Sequence, residues 1–198
     1  MRRFILAGAA LLALALARNA AAQDVPALRP THDVAVVYKV AGSPPPSGVE
    51  QAHTISMIWG SEGRELRVQV DRQPTVVLVD FARQLITMLV EPQRLAIVFT
   101  LDPRLIPGFM IPPDATVTRA GTDTVAGLTC EVWKLTGPRG SGRACVTPDG
   151  LLLRASGSVD RGGTGRLEAV SVVYGPQPAS LFTPPPDFRR MDLQTARR

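Results

Sequence analysis

Residues 64–71 alternate without a fault, and this period of two constrains the fold more than any other feature of the chain. Leu66, Val68 and Val70 fall on one side, with Glu65, Arg67, Gln69 and Asp71 on the other. That is the pattern of a strand with one buried face and one wet face. Just upstream, His53, Ile55, Met57 and Trp59 share one side of a second such segment, and Ser61-Glu62-Gly63 supplies the turn between the two. Segments 75–80, 84–90 and 94–100 follow, with turn signals near Asp71, Asp80 and Glu91, and this spacing predicts an antiparallel meander. Val76-Val77-Leu78-Val79 and 85–90 are apolar on both sides, so they belong mid-sheet or inside a closed wall.

The second half repeats the theme. Strands are predicted over 116–120, 128–136, 143–147, 151–157 and 166–174, with Thr147-Pro148-Asp149-Gly150 as a tight turn. A first strand over 33–40 ends at the exposed, proline-rich loop 42–48. This makes about nine to eleven strands, and no window outside the first 22 residues has helical length with a 3.6 period. The expected fold class is all-β with minor α, built as one large, strongly curved antiparallel sheet.

The amino terminus predicts an address. Arg2 and Arg3 precede an apolar run over 4–17, and Ala20-Ala21-Ala22 offers small residues for a signal peptidase. Residues 1–22 therefore read as a signal peptide cut before Gln23. The run is too short, and too interrupted by Arg18, to hold as a membrane anchor. No cysteine lies near the cut, which excludes the lipoprotein route. The expected location is the periplasm. Of the 22 lysines and arginines, three leave with the leader, so 19 face 17 acids. They are interspersed with those acids, and nucleic acid is not an expected partner. Residues 23–188 read as a single domain and 189–198, with two Arg-Arg pairs, as a solvated basic tail.

Cys130 and Cys145 are the only cysteines. In an oxidising compartment they read as a disulfide across a hairpin whose turn is the glycine-rich stretch 137–142. A redox pair would sit two residues apart, and a metal site would need more ligands than His32 and His53 supply. No nucleophile signature accompanies either histidine, so no catalytic residue, metal or cofactor is expected and the protein is not read as an enzyme. Residues 161–166 lack the lysine and hydroxyl of a phosphate loop and read as a flexible hairpin loop. Segment 101–113 is apolar yet broken by four prolines, which rules out a central strand or a regular helix. It is either a loop packed over one edge of the sheet or a lid closing over a cavity with Leu105, Ile106, Phe109, Met110 and Ile111.

Gly121-Thr122-Asp123-Thr124-Val125-Ala126-Gly127-Leu128-Thr129-Cys130, followed by Cys145 and Asp149-Gly150, resembles the signature of an uncharacterised bacterial family. The closing stretch from Leu181-Phe182 to Asp187-Phe188 resembles that family's ending. The family is similar to the lipoprotein carriers LolA and LolB and to the sensor RseB. The resemblance implies an incomplete, unclosed β-barrel with an apolar concave face covered by loops or short helices. Together with the apolar strand faces and the broken apolar segment 101–113, it points to a non-catalytic carrier of a hydrophobic ligand, a lipid or acyl group, and the shared faces of the two adjacent strands give Ile55, Met57, Trp59, Leu66, Val68 and Val70 as the expected cavity wall. The alternative is an envelope-sensing module whose concave face holds a peptide or a partner protein.

Overall fold

The computed structural model describes residues 25–43, 51–101, 111, 114–138, 140–159 and 163–193. The expected leader and its cleavage site lie outside these residues, as do Leu105, Ile106, Phe109 and Met110 of the expected lid. Twelve strands are described: β1 (Val34–Ser43), β2 (Gln51–Gly60), β3 (Glu65–Val70), β4 (Thr75–Asp80), β5 (Leu85–Val90), β6 (Leu95–Thr100), β7 (Thr116–Val125), β8 (Leu128–Gly137), β9 (Gly140–Val146), β10 (Leu152–Val159), β11 (Gly163–Tyr174) and β12 (Arg189–Asp192). They form one sheet in the order β12-β6-β5-β4-β3-β2-β1-β11-β10-β9-β8-β7. Two meanders, β1 to β6 and β7 to β11, join where β1 lies antiparallel beside β11. Only β12 runs parallel to its neighbour, β6.

One dipeptide shows how strongly the sheet curls. The Arg29 guanidinium lies 5.0 Å from the centre of the Phe81 ring, at the end of β4. The Arg29 carbonyl rests against Gly150, just before β10, and the Pro30 carbonyl rests against Gly63. In the strand order β4 and β10 are five places apart, which in a flat sheet would separate them by about 24 Å. A single arginine reaches both because the sheet is bent into a half-barrel, and Arg29-Pro30 plugs one mouth of it. Among the described residues the strand order does not close on itself, and β7 and β12 are its edges.

Cross-strand partners share a face, and the registers therefore trace the concave side. Leu66, Trp59 and Val34 stand in one row, Val68, Met57 and Val36 in the next, then Val70, Ile55 and Tyr38. Val34, Val36, Tyr38, Met57, Trp59, Leu66, Val79, Ile86 and Ala169 belong to one buried cluster. Buried Tyr38 donates its hydroxyl to the Leu152 carbonyl at 2.7 Å, tying β1 to β10. No buried side-chain polar atom among the described residues lacks a partner.

The disulfide forms as expected, between Cys130 on β8 and Cys145 on β9, with Cα atoms 5.4 Å apart. The residue directly opposite Cys145 is Val132, so the bond crosses the hairpin diagonally. The carboxy-terminal stretch is a strap. Leu181 accepts a hydrogen bond from Arg67 at 3.2 Å, the Phe182 ring lies against Gly60, and Phe188 covers Val76, Leu78, Leu89 and Ala96 on the outer face of β4 to β6. The strap corrects the tail boundary: Arg189–Asp192 is a strand beside β6, because Phe188 delivers the chain to that edge. Two glycine-rich loops are corrected as well. Residues 140–142 and 163–166 pair in the sheet as parts of β9 and β11.

Both tyrosines of the chain are held protonated. Burial raises the Tyr38 phenol far above its ordinary value, and burial together with the Asp149 carboxylate pushes Tyr174 up to about 12. A phenol with a raised folded pKa contributes stability that is intact below its unfolded value, about 10, and is lost as pH climbs through the folded one. Ionisation of buried Tyr38 is therefore expected to coincide with loss of the β-sheet circular dichroism signal. Phenolate titrating near its ordinary value in a protein that keeps its sheet would contradict this packing.

Candidate functional site

The concave face is filled at one end and open at the other. Along β1, Val34, Val36 and Tyr38 are 0%, 1% and 2% exposed, and Val40 is only half-buried. Along β2 the sequence runs from Trp59 through Met57 to half-buried Ile55 and exposed His53. On β3, Leu66 is fully buried, and Val68 and Val70 are half-buried.

Each end has a residue-level cause. At the filled end Trp59 stacks on Phe81, ring centres 5.9 Å apart and nearly parallel. Arg29 lies on that same Phe81 ring, and buried Pro30 completes the plug. Toward the other end the rows on β1, β11, β10 and β9 thin to glycine, while β8 keeps Trp133 and Leu135 beside them. Val40, Leu167, Ala155 and Ala144 form one concave row. The next row on that face is Gly42, Gly165, Gly157 and Gly142, one glycine from each of four adjacent strands. Beyond it Gly163, Val159, Gly140 and Gly137 align. The facing wall keeps Ile55, Val68, Val70, Val77 and Met88, all half-buried. Side chains thus line one wall at this end, and glycine backbone forms much of the other.

The glycine row is also where neighbouring strands approach closely. A Cβ on Gly42, Gly142 or Gly157 would stand 2.7–2.8 Å from a carbonyl oxygen of the adjacent strand, that of Thr164, Ser156 or Ser141 respectively. Glycine in a strand interior marks such a close approach. A depression of about 290 Å³ lies on this glycine row, lined besides the glycines by Ala41, Ser156, Thr164 and Arg166, which alternate onto the face opposite Val40 and Leu167.

A second, larger groove of about 820 Å³ lies outside the plugged mouth, with His32, Asp33, Glu62, Arg64, Asp149 and Tyr174 among its lining residues. Its polar groups are occupied with one another. Asp149 accepts from the Tyr174 hydroxyl at 3.1 Å and from Thr147, with His32 Nδ1 at 3.7 Å. Asp33 accepts from the Glu62 and Gln177 amides. These bonds fasten the plug to the turns around it. On β10, Arg154 pairs with both Asp123 and Glu168, and the Thr124 amide, with Arg154, holds Asp123 below the usual carboxylate range. No cluster of His, Cys, Asp and Glu able to hold a metal occurs among the described residues. His32 and His53 lie in different parts of the fold, His53 exposed on β2.

The six residues assigned to the cavity wall are brought together as direct cross-strand pairs: Ile55 with Val70, Met57 with Val68, and Trp59 with Leu66. Their depths differ. Trp59 and Leu66 are packed core at the filled end, and Ile55, Val68 and Val70 are half-buried. Ile111, the described residue of the lid set, packs with Val117, Trp133 and Val146 on the β7–β9 side. Sequence reasoning missed Val40, Val77, Met88, Leu167 and the glycine wall. The first four were legible as further alternating positions, and the glycines were hidden because they carry no side-chain period.

No protein-family model matches the chain, and no curated protein matches it. Solved structures do. The chain is similar to an uncharacterized conserved protein from Thermus thermophilus, at 12% identity and a TM-score of 0.55, over 82% of this chain and 91% of that one. A LolA superfamily protein from Nitrosomonas europaea aligns at 12% identity and a TM-score of 0.43, over 80% of this chain and 98% of that one. In the MucA/MucB complex of Pseudomonas aeruginosa the likeness is 14% identity and a TM-score of 0.48, over 80% of this chain and 57% of that one. At these identities the likeness shows fold alone, and the Thermus protein, with the highest of the three scores, carries it. The unclosed half-barrel expected from the LolA, LolB and RseB resemblance is the fold observed. No helix among the described residues is long and apolar enough to cross a membrane.

Proposed function

We propose that this protein is a non-catalytic, periplasmic binder of a hydrophobic chain, a lipid or acyl group, held in the open half of its concave trough. The observation that supports the reading is the taper itself. Half-buried Ile55, Val68, Val70, Val77 and Met88 share the concave face of β2 to β5, and the glycine row crosses β1, β11, β10 and β9. Apolar surface left half-wet inside a concavity is stabilised by any chain that covers it, at about 25 cal/mol per Å². The periplasmic address rests on residues 1–22 acting as a cleaved leader.

Calorimetric titration with a lysophosphatidylcholine tests the reading. The parent is expected to bind, and Val68→Glu to bind at least about tenfold more weakly, since a carboxylate against an acyl chain is desolvated at a cost of several kcal/mol. Val68 is half-buried beside the open space, so the variant should keep its cooperative melt. A parent that binds no lysolipid overturns the proposal, and so does Val68→Glu binding as the parent does. Trp59 lies in the filled end, so its emission is expected to stay constant on binding.

A further inference from the structure

We infer that the face of β7 to β11 opposite Val40, Leu167 and Ala155 docks on the phosphate groups of an anionic phospholipid bilayer. The inference does not need the trough to bind a lipid, because a different face carries it. Alternation along each strand and the registers between strands put two rows on that face. Arg166, Ser156, Arg143, Lys134 and Thr118 are successive cross-strand neighbours in the first, from β11 through to β7. Thr164, Ser158, Ser141, Thr136 and Thr116 make the second, two residues away on each strand. Every side chain of both rows is exposed. Each is either a cation or a hydroxyl, and none is acidic or apolar.

The adjoining groups cancel one another. Arg154 pairs with Glu168 and Asp123, and Lys39 stands opposite Glu168 in the register. Neither Arg143 nor Lys134 has an ion-pair partner among the described residues, so their charge is available to an outside anion. The arrangement identifies that anion as a surface. The rows cross five strands, about 19 Å at ordinary spacing, and the cations are spread along this line instead of converging on one point. A single bound ion needs convergent donors, whereas many phosphates in a sheet are matched by dispersed cations with hydroxyl donors between them. The depression of about 290 Å³ beside Arg166, Ser156 and Thr164 gives one headgroup room to settle. The periplasmic address proposed above sets the protein between two bilayers, where headgroup phosphates are presented as an extended plane.

Flotation with vesicles of phosphatidylcholine, with and without about one-third phosphatidylglycerol, tests this. The parent is expected to bind the phosphatidylglycerol vesicles at low salt, to ignore the neutral ones, and to be released at high salt by screening. Arg143→Gln/Lys134→Gln should bind at least about tenfold more weakly. Arg72→Gln/Arg83→Gln removes the same charge from exposed residues of the turns after β3 and β4, and should bind within about twofold of the parent. All four residues are exposed, so both variants should keep the parent's cooperative melt. Equal binding to neutral vesicles overturns the proposal, as does undiminished binding by Arg143→Gln/Lys134→Gln or an equal loss in the control pair. Displacement by inorganic phosphate beyond its ionic strength would assign the face to a discrete anion, and tighter binding to dextran sulfate would assign it to an acidic polysaccharide. Either result overturns the bilayer as the partner. A parent that binds no lysolipid in the trough overturns the earlier reading and leaves this one standing.

Discussion

Gly150→Ala is expected to destabilise the protein by about 2–5 kcal/mol, a large share of the roughly 5–15 kcal/mol that holds a domain together. Two costs coincide at this residue. Its φ is +94°, a conformation that an L side chain adopts only with strain. Its Cβ would also meet the backbone carbonyl of Arg29, which no change of rotamer can move aside. Relief requires shifting the 29–30 segment, whose other contacts are the Phe81 ring under the guanidinium and Gly63 under the Pro30 carbonyl. Those contacts, with the Thr31 amide donating to the Asp149 carbonyl at 2.9 Å, close the filled mouth of the half-barrel. Urea unfolding measures the loss, and Gly165→Ala is the control, expected within about 0.5 kcal/mol of the parent. A Gly150→Ala variant as stable as that control would show that the plug does not hold the mouth.

Much of this architecture is written in the alternation. Leu66, Val68 and Val70 oppose Trp59, Met57 and Ile55 in the register that their shared period demands, because a slip by one residue would turn every apolar side chain outward. The same alternation carries no information on depth. Trp59 and Ile55 have equal parity, yet one is buried under the Phe81 ring and the other is only half-buried, a difference made by segments distant in sequence. Glycine defeats the reading in another way. At Gly140, Gly142, Gly163 and Gly165 there is no side chain to be apolar or polar, so the period disappears and the residues look like loop although their backbones pair in the sheet. The wall that leaves the trough open was thus the part least legible in the sequence. Arg189–Asp192 was illegible for a related reason: its burial pattern is exposed throughout, and its pairing with β6 follows from the anchoring of Phe188 rather than from any pattern of its own.

Removing the Cys130–Cys145 bond is expected to lower stability by about 3 kcal/mol, the chain-entropy value for a loop of this size. The sequence separation is 15 residues. In a domain of this length such a loss corresponds to a fall of about 6–12 °C in melting temperature. The site of the loss can be stated too. The β8–β9 hairpin carries Gly137, Gly140 and Gly142 at its tip, so little side-chain packing supports that end. The disulfide, with Cys130 and Cys145 1% and 3% exposed, fixes the opposite end of the hairpin in the core. A wall kept bare of side chains lacks the cross-strand contacts that normally hold strands together, and here a covalent bond substitutes for them. Hydrogen exchange on the Cys130→Ala/Cys145→Ala protein should therefore show β8 and β9 losing protection before β2 to β5 do. Uniform loss of protection across the sheet would mean that the bond acts on the unfolded chain alone. Two alkylatable thiols in the natively isolated, unfolded parent would mean that the bond is absent.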